Sequence, residues 1–141
     1  MSQYKRKMGL DYGKSRIGIA FSDLTCTIAS ADHIYKAQTE EKDLQYLARL
    51  ITEKSVDEVV FGMPFNADGT ESEMCAVVKD FAAKLSALTG VKLAFQDERY
   101  TSFEAEEYLK EAHIKWEKRK ELLDKISAQI ILQNYLDEKK I

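Results

Sequence analysis

The nine residues "DEVVFGMPF", Asp57 to Phe65, constrain the fold more than any other stretch of the chain. They are apolar almost throughout yet too few for a helix, and a strand without polar alternation is one covered on both faces. Helical patterns flank it. Upstream, "TEEKDLQYLARLITEKS" sets Leu44, Leu47, Ala48 and Ile51 at helical spacing, with acids first and a lysine last, as the helix dipole prefers. Downstream, Thr70 to Glu73 ("TESE") fits a capping box that opens a helix to about Leu88, with Gly90 as its stop. "VKLAFQDE" then reads as a further strand. Strands joined through helices belong to a parallel arrangement.

The N-terminal part carries a different pattern. Lys5 to Asp11 reads as a strand, "YGKS" as a turn, and Arg16 to Ser22 as a second strand whose Ile17, Ile19 and Phe21 alternate with small residues. This is a hairpin. A third, weaker strand is expected between Ala29 and Ala37. After the last strand, Thr101 to Glu104 ("TSFE") is a second capping box opening a helix towards Glu111, and a final helix runs from about Arg119 to Glu138. The order predicts an α/β fold: a mixed five-stranded sheet, with an antiparallel hairpin first and helix-linked parallel strands after, flanked by helices.

At 141 residues, with 45% hydrophobic and 32% charged residues, the chain is expected to form one soluble domain spanning residues 1–141. A single proline and six glycines leave little for linkers. No apolar run approaches a membrane span and the start lacks the apolar core of a signal peptide, so a cytoplasmic location without membrane contact is expected. Cys26 and Cys75 show no metal-ligand spacing and are expected to be reduced, buried thiols. The net charge of −3 does not advertise nucleic acid, but binding depends on local patches, and Lys14, Arg16 and the run "KWEKRK" (Lys115 to Lys120) offer them.

Three features converge on one edge of such a sheet, where ligands sit: Asp11, the loop "GMPFNADGT" and "DER" at Asp97 to Arg99, and the last helix adds a further acid. Asp11 ends the first strand, and Asp97 and Glu98 end a later one. Asp124 shares a helix face with Ser127, Ala128, Ile131 and Tyr135, a face otherwise small or apolar. Taken singly, each has an ordinary explanation: a turn for Asp11, an ion pair with Arg99 for Asp97 and Glu98, a helix start for Asp124. Together they repel, by roughly 4 kcal/mol for two unit charges 4 Å apart at an effective dielectric of ~20. Mg²⁺ or Mn²⁺ would relieve that repulsion and, with such ligands, supports phosphodiester cleavage.

The segments "GLDYGKSRIGIAFSD", "GMPFNADGTE", "DERYTSFEAEEYL" and "LDKISAQIILQNYLD" resemble, in order, four signatures of the YqgF family of RNase H-like nucleases. That family contains proteins described as pre-16S rRNA nucleases and as Holliday-junction-resolvase-like. The resemblance spans about residues 5 to 138. It implies an RNase H-like fold, a catalytic and metal-binding set of Asp11, Glu98 and Asp124 holding Mg²⁺ or Mn²⁺, and a role in 5′-end processing of pre-16S rRNA. Departures are modest: the "KSRIG" order, Tyr100 in place of a usual leucine and Ser127 in place of an alanine. None falls on an acid.

Further candidates for nucleic-acid contact are Asn66 and Thr70 ahead of a helix start, Arg99, and Lys118, Arg119 and Lys120 before the last helix. Turn chemistry explains Asn66 and Thr70 equally well, and a solvated charge run explains the lysines. Trp116 could stack on a base or pack. His33 and His113 are read as structural or surface residues. The expected partner is nucleic acid, with an RNA precursor favoured over structured DNA, and a homodimer is compatible with the chain. Two rival readings are an actin-like ATPase, disfavoured because that architecture needs two such domains, and a non-catalytic nucleic-acid-binding module.

Overall fold

The computed structural model describes residues 5–98, 107 and 109–139, without the side chains of residues 116, 120, 121, 124 and 125. Five strands form one sheet in the order β3-β2-β1-β4-β5: β1 (Arg6–Tyr12), β2 (Arg16–Ser22), β3 (Ala29–Lys36), β4 (Val56–Met63) and β5 (Lys92–Asp97). The first three pair antiparallel, whereas β4 pairs parallel with both β1 and β5. The mixed sheet expected from the sequence is therefore present.

Two layers of helix enclose it. On one face lie α1 (Glu40–Glu53) and α2 (Glu73–Thr89), packed over Leu10, Ile19, Val59 and Phe61 through Leu47, Val78 and Phe81. On the other lies α3 (Trp116–Glu138), whose Ala128, Ile131 and Leu132 cover Ala20 and Val60. Val59, Val60 and Phe61 alternate between the two layers and are wholly buried, which is why β4 reads as an unbroken apolar run.

Two element ends and the exposure of one cysteine depart from expectation. Thr70 does not cap α2. Its hydroxyl donates to Asp68 Oδ1 (2.6 Å), and the N-cap is Ser72, which donates to the Pro64 carbonyl (2.5 Å) instead of accepting from the helix. The last helix starts at Trp116, so "KWEKRK" stands at the N-cap and in the first turn rather than ahead of the helix. Cys75 is buried as expected, but Cys26 is half-exposed, at a positive φ of 55°. The capping box at Thr101 to Glu104 lies outside the described residues; helix is seen at residues 107 and 109–111. Gly90 ends α2 with φ of 75°, its N–H donating to the Ser86 carbonyl.

Candidate active site

The direction of α3 places the site. Its Tyr135 hydroxyl donates to Glu58 Oε2 (3.0 Å) at the start of β4, while Ile131 lies against Gly62 near the end of that strand. The helix thus runs antiparallel to β1 and β4, and its N-terminal half approaches the carboxyl ends of the parallel strands. Contact with the sheet is close: a Cβ on Gly9 would stand 2.7 Å from Leu132 Cβ and 2.9 Å from the Ala128 carbonyl oxygen.

Asp11 lies two residues beyond Gly9 and so on the same face of β1. Its partner across the hairpin is Gly18, which carries no side chain to fill the space. Glu98 follows β5 and continues the ladder, its N–H donating to the Met63 carbonyl (3.1 Å). Its carboxyl group lies over Gly62, where a Cβ would come within 2.6 Å of Oε2. There it meets Asp11. Burial, the Asp11 carboxylate, a hydrogen bond with Asp11 and the charge of Asp97 together push the Glu98 carboxyl up to about 8. The two groups therefore share a proton near neutrality. Asp97 is exposed and pairs in register with Met63, on the alternate side of the strand.

The other candidates separate into groups. Lys14 and Arg16 join Asp11, Gly13, Ser15, Gly18 and Ile34 in lining a cleft of about 280 Å³. Asn66 and Thr70 spend their polar groups on their own loop: Asn66 Nδ2 donates to Thr70 Oγ1 (3.0 Å), and the Thr70 N–H donates to Asp68 Oδ1 (3.0 Å). Lys118 is exposed and Arg119 half-buried in the first turns of α3. Residue 124 lies one turn before Ala128, on the stripe of α3 that faces the sheet, at the end towards Asp11. The side chains of Asp124 and Lys120, and the whole of Arg99, fall outside what is described. Reading the sequence alone missed Gly62 and Gly9, since a strand glycine signals close approach without naming what approaches.

Two carboxyls sharing one proton form a hard oxygen donor pair in which a divalent cation can replace that proton, and such a pair fits Mg²⁺ or Mn²⁺. Among the described residues no group of three or more His, Cys, Asp or Glu completes a ligand set.

A mixed five-stranded sheet in this order, flanked by helices, is the fold of the RNase H-like resolvases. The RuvC of Thermus thermophilus superposes with a TM-score of 0.58 at 12% identity over 95% of both chains. The fowlpox virus Holliday junction resolvase does so at 0.56 and 16% identity, over 94% of this chain and 99% of its own. A family profile described as "RuvX: Holliday junction resolvase" matches residues 5–138. Curated relatives include proteins named "Putative pre-16S rRNA nuclease" from Syntrophomonas wolfei, 43% identical over 94% of each chain, and from Clostridioides difficile, 40% identical over 95% of each. The chain belongs to this RuvX/YqgF family of nucleases.

Proposed function

We propose that the chain is a metal-dependent nuclease that cleaves phosphodiester bonds in RNA precursors, acting at the 5′ end of pre-16S rRNA. The observation that carries this reading is the half-buried, hydrogen-bonded Asp11–Glu98 carboxyl pair at the strand ends. The names of the relatives support the substrate. In this reading Asp11, Glu98 and Asp124 would hold Mg²⁺ or Mn²⁺, which would supply Lewis-acid activation of the phosphate and an acidified water. Asp11 and Glu98 would both have to be ionised to hold it. Gly18 and Gly62 keep the space between the strands free of side chains. Lys14 and Arg16, in the cleft beside Asp11, bind flanking phosphates, while Lys118, Arg119, Lys120 and Arg99 are further candidates.

A DNA-junction substrate is the second reading, favoured by the description of the matching family. One experiment separates them. The protein and its Asp11→Asn variant are incubated with a 5′-extended 16S rRNA fragment, an unstructured RNA and a four-way DNA junction, with Mg²⁺ or Mn²⁺. Metal-dependent trimming of the extended RNA, absent in the variant, is expected. Preferential cutting of the junction would move the assignment to DNA, and no cutting sensitive to Asp11→Asn would overturn both readings.

A further inference from the structure

A second set of reactive groups lies on the opposite face of the sheet, beneath α1. Asp32 Oδ2 is 2.5 Å from His33 Nδ1, and His33 Nε2 is 2.6 Å from the Tyr46 hydroxyl. A carboxylate on Nδ1 keeps the proton there, so Nε2 presents its lone pair and the phenol donates to it. This is a general base oriented by a carboxylate and aimed at a hydroxyl, the arrangement that activates a nucleophile. The phenol ring is held in place: Tyr35 stacks on it at 4.1 Å and 16°, and the Arg49 guanidinium lies 5.3 Å from its centroid. Access is open, since the Asp32 and His33 side chains are 44% and 32% exposed and Tyr46 is half-buried. Fastening β3 to α1 does not require these groups. Asp43, buried in α1, already accepts hydrogen bonds from the Gln38 N–H (2.9 Å) and from the Tyr35 phenol.

We propose that Tyr46 is a covalent acceptor site that takes an acyl group from an acyl phosphate. The Arg49 guanidinium, held 3.7 Å from Glu53 Oε1 in an exposed ion pair, can exchange that weak partner for an anionic donor, and an acyl phosphate carries its own leaving group. In the step, the Tyr46 hydroxyl proton passes to His33 Nε2 as the phenolic oxygen forms a bond to the carbonyl carbon. The bond from that carbon to the phosphate oxygen breaks, and phosphate leaves with the electron pair. His33 then returns its proton to phosphate or water. The products are a phenyl ester on Tyr46 and inorganic phosphate.

The test uses the full chain and acetyl phosphate, with acylation at each tyrosine read by peptide mass spectrometry. Hydroxylamine treatment separates the labile phenyl ester from stable lysine amides. Tyr46 is expected to be acylated about a hundredfold faster than the other tyrosines, the scale of general-base assistance. His33→Gln, which can hydrogen-bond but is no base, should bring Tyr46 down to their level, with Asp32→Asn falling between. Equal acylation of all tyrosines in the unmodified protein would overturn the proposal without recourse to any variant. An unchanged Tyr46 rate in a folded His33→Gln protein would do so as well, leaving the three residues as a tie between β3 and α1.

Discussion

A methyl group on Gly62 would meet Glu98 Oε2 at 2.6 Å and Ile131 Cδ1 at 2.5 Å, both of them ends of flexible side chains. The neighbours can give way, so Gly62→Ala should cost stability only about 1 kcal/mol. The group that gives way is the carboxyl, however. Cleavage should therefore fall as far as in Asp11→Asn, and paired activity assays and urea titrations would show whether function and stability part in this way. Glu98 itself makes a pH prediction. Its carboxyl holds a proton up to about 8 in the folded protein against 4.5 ordinarily, so between these values the native state binds more protons than the unfolded chain. Stability of the metal-free protein should accordingly decline as pH rises through that window. Glu98→Gln should flatten the decline, and Mn²⁺ should restore stability at the alkaline end for the wild type alone. Urea midpoints across the window, with and without metal, check both.

At the scale of elements, α3 is seated by glycine as much as by its apolar stripe. The carbonyl oxygen of Ala128 would lie 2.9 Å from a Cβ on Gly9, and that is backbone, which cannot step aside. Gly9→Ala must displace the whole helix, at an expected cost of about 2–3 kcal/mol, together with a loss of activity. Gly90→Ala is the contrast. Nothing lies within 4 Å of its added Cβ, but its φ is 75°, so a cost of about 1 kcal/mol from conformation alone is expected, with cleavage unchanged. Chemical denaturation and the cleavage assay on both variants would distinguish displacement of α3 from simple destabilisation. At its far end α3 is fastened by Tyr135, whose phenol is pushed up to about 12 by burial and its hydrogen bond to Glu58. Lys7 bridges the same carboxylate (3.3 Å) and Asp57 (3.0 Å), tying β1 to β4 beneath the helix end.

For the molecule as a whole, a net charge of −3 gives no long-range attraction to a polyanion, so binding must rest on a small number of local phosphate contacts. Each contact on a single strand adds about −0.7 to the slope of log affinity against log salt, and three to five contacts give a slope of roughly −2 to −4. Replacing Lys14 and Arg16 by alanine should flatten that slope by about 1.4 while leaving metal binding intact. The triple change of Lys118, Arg119 and Lys120 to alanine measures whether the first turns of α3 take part. Fluorescence anisotropy on a labelled strand across a salt series reads both. A slope unmoved by the first variant would remove the hairpin cleft from the binding surface.

Periodicity and composition act within a few residues, and what depends on them was legible. The alternation of Ile17, Ile19 and Phe21 defined β2, the apolar run in β4 announced burial on both faces, and Gly90 marked the end of α2. The start of α3 was not legible, because its first turn is charged and carries no apolar stripe. Nor was the cap of α2, since Thr70 fits the motif but its hydroxyl is engaged by Asp68. The sequence by itself determined that carboxylates would stand at strand ends in a mixed sheet under helices. The family resemblance had already singled out Glu98 over Asp97, but only the tertiary structure decided that it meets Asp11 over Gly62, which makes the space for it, and that His33 reaches Tyr46. These pairings join residues from different elements, and sheet register and the seating of helices on the sheet, which no local pattern encodes, determine which of them touch.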